Sequence, residues 1–254
     1  MKRSCNVLVV VMFIISGIFG YLSYREYGYS FINRYKNRAV RDVAVKVTEE
    51  ETPITNRIDF NALKSINSDV VSWISIPGTS VDYPILVGGS DEEYLYKDIG
   101  REYSPLGSIF SYADTSRTFS DSHTFIFGHN MREYQMFGEL RKYLNKDYME
   151  NHKKFYIYLE NRVLECDIFS IFICDENDSI FYNTNKELGT VEHVNLLNEL
   201  YSRNVYSSYT SERNIGLRNA NNQVFSLVTC NGVEGTKERL VISGVVSKEN
   251  YIIR

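Results

Sequence analysis

Cysteine, proline, histidine and tryptophan are all scarce here: 4 cysteines, 4 prolines, 4 histidines and 1 tryptophan in 254 residues. Cys5, Cys166, Cys174 and Cys230 show no CxxC spacing, which excludes the usual zinc sites and argues against a disulfide framework. Cys166 and Cys174 would pair only if two strands brought them together. Positive charge is not in excess either. Lys and Arg number 28 against 32 Asp and Glu, for a net charge of −4, so nothing favours a nucleic-acid partner, which asks for a basic domain. No internal repeat is visible. What is plentiful is aromatic: 20 tyrosines and 14 phenylalanines in a chain that is 43% hydrophobic, a composition that favours strands. The length suits one good-sized domain with a short extra segment.

That segment is N-terminal. Residues 7–22, "VLVVVMFIISGIFGYL", are an uninterrupted apolar run behind Lys2 and Arg3. It falls just short of the ~17–25 residues of a spanning helix, a deficit flanking side chains make up. A cleaved signal peptide has the same basic start, but no A-x-A-like site follows, so the reading is a retained transmembrane anchor over residues 1–25. Arg25, Arg34, Lys36, Arg38 and Arg41 outweigh Lys2 and Arg3, so charge counting alone does not put the large domain outside. Residues 26–57, polar and with Pro53 near the end, read as a partly helical stalk and linker.

The folded domain is expected over 58–254. "IDFNALKSINSDVVSWI" spaces Phe60, Leu63, Ile66, Val70 and Trp73 as a helix, with Asp59 placed to cap it. A Pro-Gly turn in "ISIPGTSVDYPIL" then separates short β-rich runs. "GSIFSYAD", "SHTFIFGHN", "KFYIYLENRVLECDIFSIFI", "NQVFSLVTC" and "RLVISGVVS" all read as strands. Two helices interrupt them, "MFGELRKYLNKDYMENH" and "TVEHVNLLNELYSRN". Many short strands with helical insertions point to a mainly β, closed barrel with peripheral helices rather than a doubly wound sheet.

Cys230 ends one strand and Arg239 opens the next, with the polar loop "NGVEGTKE" between them. An antiparallel pair would set the two across from each other. A guanidinium stays charged, favours a neighbouring thiolate and can hold a carbonyl oxygen that becomes anionic. A buried cysteine beside a surface arginine fits the same spacing equally well. Thiol chemistry also needs a proton carrier. His152 lies in the polar stretch "NHKK", and His193 falls on the apolar arc of a helix. His123 and His129 share a strand face about 20 Å apart, so one of them at most serves the site. His129, where strand gives way to loop, is the candidate.

With these residues in hand, the chain resembles the sortase family, class B. The family's T-L-x-T-C reads "SLVTC" here, with Ser226 in place of the first threonine, and its G-H-N/H-M reads "GHNM" at 128–131 ahead of "MFGEL". "NSDVVSWISIPGTSVDYPIL" and "GSIF" match in the same order, so the likeness runs from about residue 58 to the C-terminus. It implies an eight-stranded barrel, an N-terminal transmembrane helix, and a cysteine transpeptidase anchored by a single pass with its catalytic domain outside a Gram-positive cell. The long insertion near 175–222 is also like class B. By this resemblance Cys230 attacks a threonine carbonyl in a C-terminal sorting motif, NPxTN- or NPxTG-like. Arg239 holds the oxyanion, helped by a backbone N–H or Thr229, and His129 protonates the leaving amine. A peptidoglycan amine then resolves the thioester, with no metal or organic cofactor. Thr229 would point away from Cys230 on a regular strand, where a plain β-branched filler fits as well as a substrate contact. Ser226 bears on fine substrate contacts. Hydrolysis of the thioester, pilin polymerisation on a lysine, or a tethered peptide-binding protein without chemistry are the competing readings.

Overall fold

The aromatic and β-branched runs pair side by side until no strand edge is left open. The computed structural model describes residues 2–24, 28–45, 57–131, 135–182, 187–206, 221–232 and 235–251, and the chain forms two units, Met1–Ala39 and Val40–Arg254. In the second, β1 (Val70–Ser75), β2 (Asp82–Val87), β3 (Ile109–Ser111) and β4 (His123–Phe127) follow in order round a closed barrel. The ring continues through β7 (Val224–Cys230), β8 (Glu238–Tyr251), β6 (Arg162–Asp175) and β5 (Lys154–Tyr158), back to β1. Only β2·β3 and β4·β7 run parallel. Trp73 opposite Tyr158 and Ile74 opposite Ile157 close the ring, which disposes of the exposed edges an open sheet would carry. The expected eight-stranded barrel is the fold observed.

Alternation along the strands sorts the side chains into layers. Ile85, Ile126, Ile157, Leu164, Phe225, Leu227, Leu240 and Ile242 fill the interior. On the outer face of β4, β7 and β8, Phe125, Val228 and Val241 are covered by Leu196, Leu197 and Leu200 of α5 (Val191–Ser202), a helix capped by the Thr190 hydroxyl.

Two helical expectations need correction. Helix α3 is Phe60–Ile66, capped as expected by Asp59, whose carboxylate accepts from the Ala62 N–H at 3.0 Å. It does not extend to Trp73. Asn67 stops it in extended geometry, donating its backbone N–H to Leu63 and its amide to Tyr94 Oη and the Ile99 carbonyl. Val70 and Trp73 then lie on β1, where β-branched neighbours suit a strand. The run from "GELRKYL" to "KDYMEN" is likewise divided, into a 3₁₀ segment (Gly138–Leu144) and α4 (Lys146–Asn151). Asn145 ends one and caps the other through the Tyr148 N–H. Cys166 and Cys174 occupy the same strand, β6, and both are free thiols, so they do not pair.

The first unit contains α1 (Lys2–Ser23) and the start of α2 (Tyr29–Ala44). Along α1 the apolar side chains from Val9 to Leu22 are exposed, Phe13 by 75%. Among the described residues, no helix is long and apolar enough to cross a membrane, so the transmembrane expectation is not carried by the fold itself. The barrel unit takes in the last turn of α2: Ala44 is fully buried and its carbonyl accepts from Asp59 N–H at 2.7 Å. The expected linker around Pro53 lies outside the described residues.

Gly244 on β8 tests the interior packing. The Phe155 ring occupies the space a side chain would need, and a methyl at Gly244 would run into it. Gly244→Ala is expected to destabilise the fold by about 1–3 kcal/mol through overpacking, read as a lower denaturant midpoint at unchanged slope.

Candidate active site

The site is assembled at the ends of three neighbouring strands. β7 and β8 pair in a register that sets Cys230 directly opposite Arg239. On the other side of β7, Phe127 of β4 lies beside Val228 in parallel pairing, and Gly128 N–H donates to the Val228 carbonyl at 3.1 Å. His129 and Cys230 are each two residues past that pair. They therefore share its outer face on strands spaced about 4.8 Å apart. All three candidate residues are brought to one end of the barrel. Cys230 and His129 are half-buried, which leaves both within reach of a ligand.

His129 is held by its ring. Its Nε2 lies 2.8 Å from the Leu95 carbonyl, which can only accept, so Nε2 carries the hydrogen and Nδ1 is the nitrogen left for proton exchange. The ring also packs against Tyr96 at 5.5 Å between centroids. Arg239 makes three hydrogen bonds: Nη2 to Glu176 Oε2 at 2.7 Å, and Nη1 to the carbonyls of Thr236 at 2.6 Å and Glu238 at 3.2 Å. None uses Nε–H. Among the described residues no hydrogen bond joins the Cys230 thiol to either the imidazole or the guanidinium, so the three groups are adjacent but not locked together.

Two further positions named in the sequence lie in the same strands. Thr229 is only 2% exposed, on the strand face opposite Cys230, and its hydroxyl has no hydrogen-bond partner among the described residues. Strand alternation turns it into the barrel, the phase a regular strand gives it. Ser226 is fully buried in a polar row across three strands, with His123 Nε2 at 2.8 Å on one side and Ser243 Oγ at 2.7 Å on the other. Its hydroxyl serves the barrel wall rather than a peptide. The remaining histidines are occupied elsewhere. His193 is buried, with Nε2 against the Asn222 carbonyl, and His152 stacks on Tyr148.

Sequence reasoning missed two residues. Asn130, next to His129, donates its amide to the carbonyls of Cys230 at 3.0 Å and Gly232 at 2.9 Å. Its place in "GHNM" was the available signal. Glu176, the partner of Arg239, lies 63 residues away along the chain and reaches the site only through the long β6·β8 pairing. No local pattern announces it.

Comparison with known proteins settles the family. Residues 74–247 match the Sortase domain. The chain belongs to the sortase family. It is 29% identical to sortase B of Listeria monocytogenes over 249 residues, 95% of each chain, and 27% identical to sortase B of Staphylococcus aureus over 253 residues, 97% of this chain and 98% of that one. Its fold superposes on sortase B of B. anthracis with a TM-score of 0.72 at 23% identity, covering 87% of this chain and 99% of that one. It is a class B sortase, and as such an enzyme, a cysteine transpeptidase.

One pH effect follows from the buried row. Burial, with His193 nearby, pushes His123 down to about 3 from its ordinary value near 6.5. In the unfolded chain it titrates near 6.5, so the unfolded state binds the extra proton between those values. Above about pH 6.5 His123 is neutral in both states and costs nothing; as pH falls towards about 3 it removes up to about 1.4 kcal/mol per pH unit. Unfolding free energies at neutral and mildly acidic pH are expected to differ less for His123→Asn than for the native chain.

Proposed function

We propose that this sortase cuts a C-terminal sorting motif after threonine and transfers the threonyl carbonyl, with the protein upstream of it, to a cell-wall amine, with Cys230, His129 and Arg239 doing the chemistry. The supporting observation is the register that sets Cys230 opposite Arg239, with His129 at the end of the adjacent parallel strand on the same face. The Cys230 thiolate attacks the threonine carbonyl. As the tetrahedral intermediate forms, charge develops on oxygen. Arg239 meets it with N–H donors in a planar fork, one of which, Nε–H, carries no other bond among the described residues. The carbon–nitrogen bond breaks as His129 delivers a proton to the departing amine, leaving a thioester. An acceptor amine on the peptidoglycan then attacks the thioester, loses its proton to His129 and expels the Cys230 thiolate as the new amide forms. Every proton is accounted for by these side chains. The motif expected is NPxTN- or NPxTG-like.

The same reading places the enzyme on the outer face of the membrane of a Gram-positive cell, with residues 1–25 as a single-pass anchor, 26–57 as stalk and linker, and 58–254 as the catalytic domain. In support, residues 7–22 form an uninterrupted apolar run behind Lys2 and Arg3. On this reading, carbonate washing leaves the chain in the membrane pellet and protease added to intact protoplasts removes the catalytic unit. Release into the wash would overturn the anchor.

The chemistry is tested with the full chain in detergent micelles, quenched peptides spanning NPxTN and NPxTG variants, and mass spectrometry with and without an added amine. The expected products are cleavage after threonine and, with amine, the transfer product. Cys230→Ala is expected to abolish both, and Arg239→Lys, which keeps the charge but loses the fork, to lower kcat by about 10²–10³. Cleavage that survives in Cys230→Ala would remove the nucleophile. Cleavage with no transfer would make the enzyme a hydrolase towards these peptides.

A further inference from the structure

We propose that Asn130 is a positioning residue for acylation, a staple that holds the Cys230 thiol in register with the His129 imidazole. The inference rests on the reading of Cys230 and His129 given above. Past the Phe127–Val228 pair, β4 and β7 share one more backbone bond, from Gly128 N–H to the Val228 carbonyl; beyond it His129 enters the loop after β4, while Cys230, the last residue of β7, stays paired to Arg239 of β8. Something else must fix one relative to the other. The Asn130 amide nitrogen donates across that gap twice, to the carbonyl of Cys230 itself at 3.0 Å and to that of Gly232 at 2.9 Å. Gly232 has φ of +136°, a conformation that other residues resist, and this conformation helps turn its carbonyl towards the same amide.

Asn130 is equally well tied on its own side. Its backbone forms a bridge with Met136, and the carbonyl of His129 accepts from the Phe137 N–H at 3.0 Å, so the histidine loop is closed on itself. A shift of either loop is passed to the other through one side chain. Chemistry restricts which side chain does this. Both partners are carbonyl oxygens, which only accept, so the staple must supply two donors with no charge. A primary amide does so. Aspartate has the same shape but would set a carboxylate against two carbonyls. The backbone clamp leaves the Cys230 thiol and His129 Nδ1 uncommitted, as the reaction requires.

The test uses the full chain in detergent micelles with Asn130→Asp, Asn130→Ser (one donor) and Asn130→Gln (two donors, one methylene longer). Two readouts are taken across pH: kcat and KM on a quenched Asn-Pro-Ala-Thr-Asn peptide, and the rate of iodoacetamide alkylation at Cys230 by mass spectrometry. In Asn130→Asp, kcat is expected to fall about 10- to 100-fold, as small misplacements of reacting groups do, with KM within about twofold. The alkylation–pH curve is expected to move as well, because the thiol's relation to the imidazole has changed, and Asn130→Gln is expected to recover part of both. A kcat within about twofold of native, or a loss that only follows the unfolded fraction with native pH curves, would overturn the proposal. If Asn130→Asp does not fold, Asn130→Ser decides by the same criteria. Alkylation needs no peptide, so it reads Asn130 whatever the motif. Cys230→Ala separates the two levels: activity surviving in it removes the underlying reading, whereas its silence beside a native-like Asn130→Asp overturns the staple alone.

Discussion

The pairing of β7 with a neighbour on each side is the constraint on which the rest depends. Its antiparallel partner β8 brings Arg239 across from Cys230, and its parallel partner β4 brings His129 alongside. Because side chains alternate with a period of two, a slip of one residue at either seam would send Cys230 into the barrel or turn His129 away. The buried interior prevents such a slip. Phe225 and Leu227 from β7, Ile126 from β4 and Leu240 and Ile242 from β8 are all sealed inside, and a one-residue shift of β7 would exchange its pair for neighbours such as Ser226 and Cys230. Core packing and catalytic geometry are thus one specification read at two ends of the same strands.

The polar row His123–Ser226–Ser243 runs against that economy, since it buries three hydrogen-bonding side chains in the barrel wall. Burying a polar group is costly unless it is bonded, and here each hydroxyl meets a partner. The row crosses β4, β7 and β8 in turn, the same three strands that carry the site. It supports their alignment from within the wall, and it accounts for the serine in "SLVTC": the position asks for a small hydroxyl between a histidine and a second serine. The row also removes His123 from contention as a proton carrier, since desolvation keeps its ring neutral.

Local pattern carried much of this architecture, and its failures share one cause. The runs of β-branched and aromatic residues located the strands, and the Cys230–Arg239 pairing was legible because a short loop joins the two strands that hold them. His129 stood out by elimination among four histidines. The errors arose where a three-dimensional neighbour overrode a local period. Helical spacing carried on through Val70 and Trp73 by coincidence, and only Asn67, with its contacts to Tyr94 and Ile99, shows where the helix must stop. Thr229 is not among those errors: alternation alone turns it from Cys230, and it lies inward as a regular strand requires. Asn130 and Glu176 depend on partners 100 and 63 residues away respectively, and no single-sequence pattern reports such distances.

The Arg239–Glu176 pair shows how such a distant contact acts. With side chains 23% and 35% exposed, it is partly wet, and pairs of that kind contribute about 0–1 kcal/mol. Its stabilising value is therefore small and its value as geometry larger. Glu176 and the carbonyls of Thr236 and Glu238 together hold the Nη atoms, which chooses one conformation for a long side chain that would otherwise lose rotamer entropy only on meeting the substrate. On the proposed mechanism, part of the ordering cost of the oxyanion site is met during folding, and the Nε–H, unbonded among the described residues, remains for the charge that develops. A tighter clamp would, on the proposed mechanism, leave the guanidinium no donor for the developing charge. A looser one would leave the fork to be ordered at each turnover. A half-exposed carboxylate lies between these limits, and the barrel places it there by running β6 the full length of β8.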